Sequence, residues 1–389
     1  SFNLHTIALL IISTYYLSSL LIFNAIVVSP HDNLDITAVN DHIIGETFRG
    51  NFNAANNFLS GHIKWFHIET MFYPFNLLHL ILDDKEFYFI SEILKKILSY
   101  LSFYLLARSL TKDKFNSFIS AIVYSSIVNL EYRMGFGIVL MPYLLYLLTS
   151  KKNFQTKHSL IIFFIGLNSD IARDYLALIL LIPVSILIRQ SIKNINVLLY
   201  YFVIITVSTL IAATPIILSL IEFKDIHRGN MDIHGFNNIF NIFNFIKIFF
   251  FPKLLLFFLI LLLSFFLKNK KVIFLSTFFI FIYFLSIYIN PLLKNYVFLH
   301  LDFIQGFNFQ RIDRSLNLII CIILVYNLKH LNSLFLKKLT YFLSILTAIT
   351  IHLSYPILEA TKILIKNTFN SESKFIELKK IIKKNNFTE

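Results

Sequence analysis

Five short stretches of this chain gather side chains able to do chemistry. The first, His31-Asp32-Asn33-Leu34-Asp35, directly follows a long apolar run, with Asp41, His42 and Glu46 close behind. Two carboxylates three residues apart share one face of a helix. At a membrane surface such a carboxylate can serve as a general base or hold a cation. The competing role is a helix cap, in which Asp32 or Asn33 accepts from backbone donors of a helix beginning near Ile36. One cap does not need both carboxylates, so Asp32 and Asp35 stand as candidates beside that role.

The second stretch is Glu131-Tyr132-Arg133-Met134-Gly135-Phe136-Gly137, between two apolar runs. The guanidinium of Arg133 can fork onto two phosphate oxygens, and the glycines permit close backbone approach. A tight turn with a surface pair between Glu131 and Arg133 is the plainer reading, worth under about 1 kcal/mol. The third, Asn168-Ser169-Asp170-Ile171-Ala172-Arg173-Asp174-Tyr175, follows a run of only 11 apolar residues, 158–168. Such short flanks imply polar groups below the headgroup level, where ionisable residues are costly and usually functional. Asp170 and Arg173 lie one turn apart if helical.

The fourth, Gln305-Gly306-Phe307-Asn308-Phe309-Gln310-Arg311-Ile312-Asp313-Arg314, leads into another run. Arginines oppose the dipole at a helix start, but the positive helix end together with Arg311 and Arg314 makes a natural anion site. The alternative pairs Asp313 with one of them as a cap. The fifth, His227 to Gly235, has two histidines seven residues apart and poor metal spacing, and reads as a solvated loop. His62, His67 and His79 read as interfacial. No Walker A, GxGxxG, GxSxG or CxxC pattern occurs, which argues against nucleotide hydrolysis, dinucleotide binding and serine-hydrolase chemistry.

The elements that must position these groups are apolar helices. Of 389 residues 57% are hydrophobic and only 15% charged, well below the quarter usual in soluble domains. Only a bilayer offers this much apolar surface a solvent. The expectation is an all-α polytopic membrane protein with about eleven transmembrane helices, over 4–28, 87–107, 115–130, 136–149, 158–168, 174–188, 196–221, 251–267, 272–290, 315–328 and 339–354. Residues 1–354 form the transmembrane domain and 355–389 a short basic tail. The first run lacks a basic n-region and a small-residue cleavage site, so it reads as a retained helix. Within the long first outer loop, 29–86, the segments 36–49 and 74–82 read as interfacial helices, and 237–250 as another.

Basic residues in short loops mark the cytoplasm. The loops after every second run carry fourteen, from Arg108 to Lys338, against one acid, Asp113. That alternation predicts a cytoplasmic N-terminus in a bacterial plasma membrane, and it explains the net charge of +13 without a nucleic-acid partner. The connections on the other face are longer and mixed in charge. The lysines of the tail break the pattern. The 44 phenylalanines fit an AT-rich genome and carry little functional information. The single cysteine, Cys321, excludes an intrachain disulfide, and nine glycines are too few for GxxxG packing to be general.

A first helix, a long acidic outer loop with an early aspartate, and ten further helices with arginines on the same outer face resemble the GT-C integral membrane glycosyltransferases. The resemblance covers the topology of the whole chain. Its specific motif is His31-Asp32-Asn33-Leu34-Asp35, at the position of the family's first-loop acidic motif. It implies transfer of a sugar from a polyprenyl-phosphate donor to a glycan, lipid or protein acceptor in building cell-envelope polysaccharide. Asp32 or Asp35 is then the base, and Arg133, Arg173, Arg311 and Arg314 bind the donor phosphate. His31, Glu46, Glu131 and Asp170 are further site candidates. The acidic loop admits a divalent cation, but no spacing fixes one. The chain departs from the pattern of many members in having no separate soluble domain. A transporter or flippase of a lipid-linked sugar, or a non-catalytic scaffold, would use the same outer face.

Overall fold

A computed structural model describes residues 3–23, 38–55, 64–68, 70–128, 136–150, 155–171, 174–189, 195–223, 252–267, 269–292, 312 and 314–351. Among these residues the regular structure is entirely helical. The helices are α1 (Leu4–Phe23), α2 (Ala38–Phe48), α3 (Asp84–Thr111), α4 (Lys114–Ile127), α5 (Phe136–Ser150), α6 (Thr156–Leu167), α7 (Tyr175–Ile179) and α8 (Leu181–Arg189). They continue as α9 (Ile195–Ala212), α10 (Thr214–Phe223), α11 (Pro252–Phe266), α12 (Lys270–Leu292) and α13 (Leu316–His330), and the last is α14 (Leu334–Ile351). Two 3-10 segments, Trp65–His67 and Pro74–Leu80, complete the first outer loop. Within the described residues the apolar runs of the sequence fall on helix, two of them interrupted by a turn. The outer-loop segments expected at 36–49 and 74–82 are helical too, the second as a 3-10 turn opened by Pro74. The segment 237–250 and the tail lie outside the described residues.

Height distinguishes the helices. Among the described residues α9 and α14 are long and apolar enough to cross a membrane. With 28 residues, α3 extends about 42 Å, but its run is interrupted by Glu92, Lys95 and Lys96. The helices α4, α5 and α6 have 14, 15 and 12 residues. They reach only about 18–22 Å, short of the roughly 30 Å hydrocarbon layer. The second run of the α6–α8 hairpin breaks at Leu180, and 196–221 breaks at Ala213 before Pro215, whose ring cannot supply the next backbone donor.

The core is organised around α13. Every residue from Leu318 to Leu328 is buried, Cys321 and Asn327 included, as expected of a helix with no polar face. Asn327 is satisfied there, donating to the Ile260 carbonyl at 2.8 Å and to Ser264 Oγ at 3.2 Å on α11. Around it α3 packs against α4 and α5, α6 against α9, and α12 against α13. At one point α6 and α9 approach so closely that a Cβ on Gly166 would collide with Ser208 Oγ, a local use of a small residue in a glycine-poor chain.

The basic loops converge at one end. Lys329 Nζ donates to the Leu110 carbonyl at 3.0 Å, Arg189 Nε to that of Thr149 at 2.8 Å, and Lys271 Nζ to that of Ile188 at 3.3 Å. These acceptors lie in the last turns of α3, α5 and α8, where carbonyls lack intrahelical partners. The opposite end is covered by the first outer loop.

Candidate functional site

The short helices end in a polar tier part-way up α3, beneath the outer loop. Lys96 Nζ donates to the Ser125 and Val128 carbonyls at 2.8 and 3.3 Å, the open C-terminal end of α4. Just below, Ser102 Oγ donates to the Val139 carbonyl at 3.1 Å, and Tyr124 OH to that of Ile138 at 3.1 Å. Thus the C-terminal end of α4 and the first turn of α5 stand level with the middle of α3. The α6–α7 turn joins the same tier. A Cβ on Gly137 would collide with Ser169 Oγ and lie 3.3 Å from Asp174 Oδ2, so the first turn of α5 can sit here only without a side chain.

That turn is closed by its own residues. The Asp174 amide donates to the Asp170 carbonyl at 2.7 Å, and the Asp170 amide donates back to Asp174 Oδ2 at 3.1 Å. Asp170, Asp174, Asn168 and Ser169 are all buried. Asn168 Oδ1 accepts from the Phe75 amide at 2.9 Å, which seats the outer loop on the tier. Phe75 also packs on Phe136 and Phe87, with ring centroids 4.4 and 5.6 Å apart. On α3 the tier contains an ion pair, Lys95 Nζ to Glu92 Oε1 at 2.8 Å, with both side chains largely buried.

Above the tier, Asp84 fastens the outer loop to the top of α3. Asp83 is the N-cap, exchanging hydrogen bonds with Glu86 in a capping box, so Asp84 is spare. Its Oδ2 lies 2.7 Å from His42 Nδ1, its Oδ1 accepts from Arg49 Nη2 at 3.1 Å, and His79 Nδ1 stands 3.7 Å away. Arg49 also donates to Glu46, as does Asn51. Gly45 makes room: a Cβ there would lie 2.5 Å from Asp84 Oδ1, 2.9 Å from Arg49 Nη2 and 3.1 Å from His79 Nδ1. A second fastening joins Lys64 and His67 to Glu222 at the end of α10, at 3.2 and 2.8 Å.

Burial alone would raise the Asp84 pKa, but hydrogen bonds from His42 and Arg49 outweigh it and hold the carboxyl below its ordinary value. Glu46 is lowered by its bonds from Asn51 and Arg49. Burial pushes His79 down to about 4, only partly offset by the Asp84 charge. The ring stacks on Phe87 at 3.7 Å between centroids. His67 and His79 are both buried, the first against Glu222 and the second against Phe87. Among the described residues no group of three His, Cys, Asp or Glu is disposed to hold a metal. The Asp84 cluster fits a cation poorly, since Arg49 already occupies the carboxylate.

Of the candidates from sequence, Asp170 belongs to the tier, Glu46 to the Asp84 cluster, and Arg314 is half-buried just before α13. His31, Asp32, Asp35, Glu131, Arg133, Arg173 and Arg311 lie outside the described residues. Sequence reasoning passed over Asp84, Arg49, Gly45 and the charged group on α3. Two signals were there: a second carboxylate beside a sufficient cap, and three charges inside an apolar run. The chain matches no family model, characterised protein or solved structure.

Proposed function

We propose that this chain is a plasma-membrane protein of about eleven spans. On the face opposite its basic loops it moves a sugar from a polyprenyl-phosphate donor to a glycan, lipid or protein acceptor. The observation that carries the reading is the polar tier, part-way up the bundle and roofed by a folded, charged loop. A lipid-phosphate donor needs a polar site just inside the hydrocarbon boundary, flanked by apolar surface for its tail. The sides of the bundle supply such surface: Leu199 and Val203 on α9, Phe274 and Phe281 on α12, and Phe335 and Phe342 on α14 are each more than half exposed. Large exposed apolar areas need a lipid or protein partner.

In the reaction an acceptor hydroxyl attacks the anomeric carbon while its proton passes to Asp35 or Asp32. The anomeric C–O bond to phosphate breaks, and the polyprenyl phosphate leaves with the bonding pair. Arg133, Arg173, Arg311 and Arg314 stabilise the charge that develops on it. The test is turnover of a radiolabelled polyprenyl-phosphate sugar by protein in lipid vesicles. Label transfer lost in Asp35→Asn or Asp32→Asn, with donor binding kept, is the expected result. Donor binding with neither transfer nor hydrolysis in the wild type would sink the transferase.

A second reading, a transporter or flippase for a lipid-linked sugar or other anion, draws on Asp170 and Asp174. Buried carboxylates within the bundle suit ion-coupled passage. Vesicle uptake or lipid scrambling dependent on Asp170, without sugar transfer, would favour it.

A further inference from the structure

We propose that the first outer loop binds a glycan on an aromatic platform formed by Phe52, Trp65 and Phe72. This deepens the transferase reading by making the acceptor a carbohydrate, and it rests on that reading only for the role of acceptor. Trp65 is the single tryptophan of the chain. It is partly exposed and packs on the small core of the loop, which includes Ile43, Ile44, Ile68 and Met71. Around it stand Phe52, Phe66 and Phe72, with ring centroids 5.8, 5.6 and 6.4 Å away and planes inclined by 58°, 86° and 85°. One face of Phe66 is covered by the Lys64 ammonium, 5.4 Å from the ring centroid. Phe52 and Phe72 are 57% and 38% exposed. Folding does not account for such rings, because apolar surface left in water contributes nothing to burial. Single exposed apolar residues are ordinary, but large rings gathered at one exposed spot mark a binding surface.

The polar groups beside the rings select the ligand. Helix α2 ends in a Schellman turn, in which the Asn51 amide donates to the Glu46 carbonyl at 2.9 Å and the Gly50 amide to that of Thr47 at 3.0 Å. Gly50 supplies the left-handed residue, with φ 98°. The turn leaves Phe52 between Asn51 and Asn53, all three exposed. Asn51 Nδ2 donates to Glu46 Oε2 at 3.2 Å, and Arg49 Nη2 donates to Glu46 Oε1 at 3.2 Å. Planar amide, carboxylate and guanidinium groups therefore lie beside the rings, and between them they offer donors and acceptors to neighbouring hydroxyls. A sugar ring presents the complementary pair of surfaces: a face of C–H bonds, drawn to the negative face of an aromatic ring, and a rim of hydroxyls. An anion is disfavoured, because Arg49 already faces Glu46 and Asp84. Bilayer hydrocarbon is disfavoured too, since these charged groups would have to give up water to enter it. Aromatic surface with a few placed polar groups is the usual make-up of a small-ligand site.

The test uses the full chain in nanodiscs, and the single tryptophan makes its own emission the readout. The probe is a pool of neutral oligosaccharides built from hexose and N-acetylhexosamine units. Wild-type emission is expected to change saturably as the pool is added, to be quenched by acrylamide in water, and to be protected from acrylamide by the pool. Phe52→Ala should weaken binding about five- to tenfold, the worth of one aromatic contact. Asn51→Ala should weaken it by a smaller factor, and Phe52→Tyr should keep it. Both positions are exposed, so these variants retain the fold. An emission that the pool neither changes nor protects overturns the proposal, as does equal binding by wild type and Phe52→Ala. Strong quenching by lipids brominated in their acyl chains, with acrylamide excluded, makes the patch a membrane anchor and overturns it too. Phe52-dependent glycan binding by a protein that transfers no sugar from a polyprenyl-phosphate donor refutes the transferase and leaves this site standing. Sugar transfer indifferent to Phe52→Ala and Phe72→Ala refutes the platform and leaves the transferase.

Discussion

The two ends of the bundle are held together by different chemistry. At the basic end, Lys329, Arg189 and Lys271 reach from one helix terminus to the carbonyls of another. Each contact satisfies an orphan acceptor and the negative end of a helix dipole at once. At the capped end the fastenings run between side chains: Asp84 with His42 and Arg49, and Glu222 with Lys64 and His67. Backbone acceptors are supplied by any sequence, so the basic end needs only lysines in roughly the right loops. The capped end needs particular pairs of residues far apart in the chain, and a glycine where they meet.

That contrast can be broken most severely under the cap. Gly137→Val should cost about 3 kcal/mol through overpacking against Ser169 and Asp174, read as a lowered midpoint of thermal unfolding in detergent. A midpoint equal to wild type would mean that the α5 and α6–α7 tips are not packed together. Asp84→Asn should cost about 1–2 kcal/mol, confined to the outer loop, because the neutral amide can accept from only one of His42 and Arg49. Limited proteolysis within 38–82 should speed up while cleavage at the basic end stays unchanged.

Acid should act on the same end. His79 titrates at about 4 in the folded cap against an ordinary value near 6.5. Between those values the unfolded loop binds a proton that the folded loop refuses, so cap stability falls as pH drops through that window. Asp84 and Glu46, whose folded pKa values are lowered, contribute stability that is lost as pH falls further through their folded values. Hydrogen exchange of the outer loop should therefore rise on acidification. His79→Phe, which keeps a ring against Phe87, should flatten the upper part of the profile. A wild-type profile already flat from neutrality to pH 4 contradicts the buried neutral histidine. The smallest effect belongs to the basic end: Lys329→Met should change stability by only about 0.5 kcal/mol. Were it to rival Asp84→Asn, the distinction between the ends would collapse.

Much of the helical plan was legible in the sequence because apolar runs have only one stable form when their backbone cannot reach water. The polar stretch 168–175 was legible for the same reason, since charges beside short apolar flanks stand out. Asp84 was not. It reads as one more acid at a helix start, and only the folding back of α2 gives it His42 and Arg49. Nor was Gly45, whose need to be glycine comes from side chains of residues 49, 79 and 84 meeting at one point. Lys95 and Lys96 are adjacent and chemically identical in sequence. Contact with the end of α4 separates their surroundings.

The sequence by itself determined that the chain is helical and apolar, which loops are basic, and where polar groups interrupt the apolar runs. These follow from local composition and helix periodicity, which act within a few turns of chain. Only the tertiary structure decided that the short helices α4, α5 and α6 stop at one height, that the outer loop folds down over their ends, and that Asp84 fastens it. Those outcomes depend on which helix stands beside which, and on burial stripping water from groups that then have to find each other.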